Sequence, residues 1–74
     1  MTSIEIGQLL RAVRKKSGLT QLMLAKMAGV GKTVVFDMEK GKATVQLDSL
    51  LKVLEVLNIQ LKLLSPIASI GEDS

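Results

Sequence analysis

A chain of 74 residues that is 47% hydrophobic but only 1% aromatic, with no cysteine and no histidine, is expected to be one small domain around an aliphatic core. Without cysteine there are no disulfides or thiolate metal sites, and without histidine only carboxylates remain as metal ligands, so stability must come from good packing or a partner subunit. The net charge of +3 is unevenly placed: residues 11–42 hold eight lysines and arginines against Asp37 and Glu39, and the flanks are mildly acidic, which suits either a phosphate-binding face or a solvated basic surface.

No apolar run reaches the ~18–20 residues that span a membrane. Met1–Glu5 lacks the basic start and apolar stretch of a signal peptide. A cytoplasmic protein is expected, with no membrane contact.

Thr2-Ser3-Ile4-Glu5 fits a capping box, a hydroxyl followed three residues later by a glutamate. Ile6, Leu9, Leu10 and Val13 then recur at the spacing of one helical face. Arg14, Lys15 and Lys16 suit the negative end of the helix dipole, and Gly18 suits a left-handed stop. The first helix is therefore expected over about 3–17. Thr20 is a good N-cap for a second, Gln21 to Ala28, which Gly29 ends. After Val30, Gly31 can cap a third, Lys32 to Lys40, which Gly41 closes. Two helices of about eight residues joined by a tight glycine-containing turn form a helix-turn-helix unit.

Thr44 precedes another apolar stretch. Leu47, Leu50, Leu51, Leu54 and Leu57 fall on one helical face, and Val53 and Val56 begin a second. One face suits the core and the other a partner. Asn58 can end this helix in the left-handed conformation. Ile59-Gln60-Leu61-Lys62-Leu63-Leu64 then alternates with period two, a strand signal that Pro66 stops. A lone strand leaves its backbone unpaired, so a second copy of the chain is expected to pair with it antiparallel. Val53, Val56, Ile59, Leu61 and Leu63 are the expected dimer residues. Residues 1–64 form the domain, and 65–74 a flexible tail.

The set Gly18-Leu19-Thr20-Gln21, Leu24-Ala25, Gly29-Val30, Val35, Met38-Glu39 and Gly41-Lys42 resembles the Xre/Cro-type helix-turn-helix family over roughly residues 5–57. Gly41 to Leu54, followed by Leu57 to Leu63, is similar to the HipB-like antitoxin subgroup. The resemblance implies a mainly α, lambda-repressor-like domain of four helices, with room for a short extra turn. It adds one C-terminal β-strand that pairs across a homodimer. It implies a transcriptional repressor, the antitoxin of a HipA-like kinase toxin, acting in the bacterial nucleoid on a palindromic operator in double-stranded DNA. A stand-alone prophage-type repressor and a protein-interaction module with weak DNA binding are the alternatives. No cofactor is implied.

The resemblance also assigns roles. Gln21 would bond a phosphate at the start of helix 2. Helix 3 would enter the major groove with Gly31, Lys32, Thr33, Phe36 and Asp37 towards base edges. Lys32 would donate to guanine, Phe36 cover a thymine methyl, and Asp37 accept from cytosine N4, while Thr33 would bond a base or a phosphate. Lys40 and Lys42 would lie beside the backbone. Arg14 and Glu39 match a family pair that joins helices 1 and 3. The alternative for Arg14 is a phosphate-facing cation, and for Phe36 a core side chain. Gly31 replaces the family's usual Ser or Thr. Leu22 and Met23 stand where polar residues are usual, and suit a partner patch or extra core packing.

Gly29-Val30-Gly31-Lys32-Thr33 looks like the end of a phosphate-binding loop, but the position five before Gly31 is Lys26, and a helix precedes it instead of a buried strand. An enzyme is not expected, because there is no histidine, no cysteine and no carboxylate pair with an obvious pocket.

Overall fold

The computed structural model describes residues 1–66, and residues 67–74, most of the expected tail, lie outside the described residues. Four helices follow one another: α1 (Ser3–Lys16), α2 (Gln21–Ala28), α3 (Lys32–Glu39) and α4 (Leu47–Val56). Their ends are set by local chemistry. The Glu5 amide donates to Thr2 Oγ1 at 3.1 Å, and the Thr2 amide donates to Glu5 Oε1 at 2.9 Å, so the capping box forms as expected. The Met23 amide donates to Thr20 Oγ1 at 3.1 Å and starts α2. Gly29 adopts φ +72°, a conformation costly for side chains with a Cβ, and this reverses the chain within three residues before α3 begins. Asn58, at φ +57°, ends α4, and the Ile59 amide returns to the Leu54 carbonyl at 2.9 Å. Gln46, two residues beyond Thr44, occupies the N-cap of α4 without a side-chain bond.

Leu10, Leu24, Ala25, Val35, Met38, Val53, Leu54 and Leu57 form the buried core, drawn from all four helices. α3 packs against both α1 and α2, and α4 packs mainly on α2. One face of α3 is therefore committed to the core, and its opposite face is left free.

α4 is turned differently from the expectation. Val53 is 0% exposed and belongs to the chain's own core, so it is not a dimer residue. Leu47, placed on the core face by its spacing, is 64% exposed, and Leu51 is exposed as well. The apolar arc of α4 is wider than the core it meets. The core takes the side holding Leu50, Val53, Leu54 and Leu57, and Leu47 and Leu51 are left at the other edge. No strand forms among the described residues. Beyond the Ile59 amide bond to Leu54, residues 60–64 follow α4 outside any helix or strand, and Leu61, Leu63 and Leu64 are exposed. A strand is defined by a neighbour, and the described residues supply none beside this segment.

α1 and α3 meet backbone to backbone. A Cβ added at Gly7 would stand 2.8 Å from the Glu39 carbonyl oxygen and closer still to that of Met38. At Gly41 an added Cβ would come within 2.7 Å of Ile4 Cα. The two glycines thus let α1 rest directly on the C-terminal end of α3.

Gly7→Ala follows as a test. In an open helix interior this change stabilises by up to about 1 kcal/mol. Here overpacking against fixed carbonyls should reverse the sign and cost about 1–3 kcal/mol in urea denaturation. A variant as stable as the parent would mean that α1 and α3 do not meet this closely.

Candidate nucleic-acid interface

The eight residues of α3 divide by helical geometry. Val35 and Met38 face the core. Lys32 and Phe36 follow at an interval of four, with Thr33 beside them and the C-cap Lys40 four residues further on, and all four are exposed. The α3 N-terminus is capped by Gly31 with no side-chain bond. Gln21, Lys32, Thr33 and Phe36 line one hollow, and Gln21 and Lys32 also line a second with Arg14, Leu19, Thr20 and Leu22. The fold therefore brings the start of α2 and the outer face of α3 onto one surface. Arg11, Lys15, Lys16, Lys26, Lys32, Lys40 and Lys42 are exposed. The basic residues between positions 11 and 42 thus stay in solvent, apart from Arg14, which is buried.

Arg14 is not a free cation. Its Nε donates to Glu39 Oε2 at 2.6 Å and its Nη2 to Glu39 Oε1 at 3.0 Å, a fork on a carboxylate. Nη1 donates to the Leu19 carbonyl at 2.8 Å, at the end of the turn between α1 and α2. Gln21 Nε2 adds a further bond to Glu39 Oε1 at 3.2 Å. The Arg14 and Glu39 side chains are 9% and 3% exposed. Hydrogen bonding by Glu39 raises the Arg14 pKa above its ordinary value, against the opposing effect of burial. The pair expected between helices 1 and 3 is present, and it also fastens α2 through Gln21.

Phe36 stays outside the core, with Lys40 Nζ 5.0 Å from its ring centroid. Lys42 Nζ lies 3.4 Å from Asp37 Oδ2. Asp37 and Lys42, expected to meet DNA separately, are thus partners. A surface pair of this kind is worth about 0–1 kcal/mol and opens readily. Leu22 and Met23 are half-exposed beside Met27 on the outer side of α2, so neither is core packing. The sequence patterns above leave three features unmarked: the Gly7 contact, the Gln21–Glu39 bond and the Lys42–Asp37 pair. A glycine inside an otherwise regular helix is the one available signal for the first. Among the described residues there is no cluster of potential metal ligands, and no helix is long and apolar enough to cross a membrane.

Glu39→Ala would leave a buried guanidinium without its carboxylate and should cost about 3–5 kcal/mol. The urea midpoint reads this loss. A cost below about 1 kcal/mol would place the pair among exposed ones, with little role in fixing α3.

The model of the family described as Helix-turn-helix matches residues 10–64. The Uncharacterized HTH-type transcriptional regulator y4mF of Sinorhizobium fredii (strain NBRC 101917 / NGR234) is 43% identical over 65 residues, covering 88% of this chain and 86% of that protein. Among solved structures, a chain of the HipA-HipB-O2-O3 complex superposes with a TM-score of 0.80 at 23% identity, covering 89% of this chain and 93% of that one. The restriction-modification controller protein C.AhdI from Aeromonas hydrophila superposes with a TM-score of 0.71 at 34% identity, covering 78% and 88%. The first of these two speaks for the fold alone. The matched segment takes in all of α2, α3 and α4, and together with the similarity to y4mF it establishes that the chain belongs to the helix-turn-helix family.

Proposed function

We propose that the chain is a sequence-specific DNA-binding repressor, working as a homodimer on a palindromic operator. The observation that carries this reading is the outer face of α3, where Lys32, Thr33, Phe36 and Lys40 stand exposed on a helix fixed from behind. An α-helix fits the major groove, and residues near its N-terminus reach base edges. In that pose Lys32 donates to guanine O6 or N7, and Thr33 bonds a base or a phosphate. The free N–H of the Gln21 amide group faces a phosphate. Gly31 brings the backbone close. Lys40 and Lys42 supply phosphate contacts that do not depend on sequence. Asp37 accepts from cytosine only when Lys42 swings away to a phosphate.

Dimerisation gives residues 59–64 a strand neighbour that the described residues do not supply. Paired antiparallel about a two-fold axis, Ile59, Leu61 and Leu63 form the ladder, and Val56, near the start of the segment, supplies apolar surface beside it. The two α3 helices then meet half-sites about one helical turn apart, roughly 34 Å, or a multiple of that. We further propose that the chain is the antitoxin of a HipA-like kinase and represses its own operon. The similarity of residues 41–63 to the HipB-like pattern supports this, as does the likeness of the fold to a chain from a HipA–HipB assembly. A second reading is a stand-alone regulator without a toxin. The likeness to a restriction-modification controller favours it. The adjacent gene separates the two readings: a kinase-like neighbour supports the first.

Lys32→Ala should weaken binding to a selected operator by about 1–3 kcal/mol while changing binding to random DNA little. Competition titrations over a salt series measure both. Equal losses would move Lys32 from the bases to a phosphate. Leu61→Pro removes a ladder donor and should shift sedimentation from dimer to monomer. An unchanged dimer would rule out the shared sheet.

A further inference from the structure

Phe36 is the only aromatic residue in the chain, and it is 45% exposed on the outer face of α3. Lys40 sits over the ring, and the ring lines one hollow with Gln21, Lys32 and Thr33. The ammonium group is attracted to one face of the ring. What remains exposed is an apolar surface among the side chains proposed to read bases.

The major groove offers that surface one good match. Base edges there carry hydrogen-bond donors and acceptors, and the only apolar group is the C5-methyl of thymine. A phenyl ring against a polar edge strips water and returns no hydrogen bond, which is unfavourable. Against a methyl it buries apolar surface on both sides. 5-Methylcytosine carries the same methyl at the same ring position, with a different polar edge. A phenyl ring has no donor or acceptor with which to distinguish the two pyrimidines.

We propose that Phe36 makes binding depend on the C5-methyl group itself, so that the chain responds to cytosine C5 methylation as well as to thymine. This rests on the DNA-binding reading above. Lys32 and Thr33 read polar edges at neighbouring positions, and Phe36 adds a site for a 5-methylpyrimidine. Occupancy of an operator with cytosine at that position then rises when a DNA methyltransferase acts on it.

The test uses the full chain and a duplex selected from a random pool. In one half-site, each thymine is replaced in turn by deoxyuracil, which lacks only the methyl. The same positions are then made cytosine and 5-methylcytosine. At one position, loss of the thymine methyl should weaken binding about fourfold, and adding the cytosine methyl should strengthen it by a similar factor, as expected for one buried methyl-sized group. Phe36→Ala should bring both ratios to about one and leave the salt dependence unchanged. The side chain lies outside the core, so this variant should fold, and its circular dichroism checks that. Methyl ratios that persist in Phe36→Ala, or that equal one everywhere in the parent, overturn the inference alone. A thymine effect without a matching cytosine effect also overturns it. Absence of sequence-specific binding to any duplex overturns the DNA-binding reading and this inference with it.

Discussion

The Arg14–Glu39 pair is the constraint on which the rest of the structure turns. Glu39 closes α3, and its carboxylate accepts from Arg14 of α1 and Gln21 of α2. Arg14 also holds the Leu19 carbonyl in the connecting turn. One ionic group thus fastens three helices at a single point. Burying such a pair brings little net stability, since desolvation offsets most of the attraction. Its effect is directional. Guanidinium and carboxylate meet as two planes, so the rotation of α3 about its own axis is fixed.

That rotation is completed by close contacts of the backbone at two glycines. Gly7 and Gly41 let the backbone of α1 lie on the end of α3, on the same side of the helix as Glu39. Aliphatic side chains in a core this small can repack, whereas carbonyl oxygens one atom from a neighbouring helix cannot. The pair and the glycine contacts therefore make a joint between α1 and α3 that is stiffer than the core around it.

Much of this was legible in the sequence because it is local. Thr2, Thr20, Gly29 and Asn58 act on bonds within a few residues, and each helix boundary they imply appears in the structure to within a residue or two. Arg14 and Glu39 were legible through resemblance, not spacing, since 25 positions separate them. What was not legible depends on three-dimensional approach. Periodicity marks α4 as apolar over a wide arc, but it does not say which part of the arc the other helices cover. Val53 and Leu47 exchanged places for that reason. Gly7 carries no side chain to enter a pattern, and its meaning lies in the Met38 and Glu39 carbonyls across from it. The segment 59–64 shows a strand's alternation, but whether a strand forms depends on a neighbour that alternation does not name.

The division of α3 into an inner and an outer face has an evolutionary consequence. Val35, Met38 and Glu39 carry the fold, while Lys32, Thr33, Phe36 and Lys40 touch almost nothing that does. Substitutions at such outward positions usually change stability by less than about 0.5 kcal/mol. Mutation can therefore vary these four positions without risking the scaffold, and duplicated copies of such a gene can diverge at this surface while keeping one architecture.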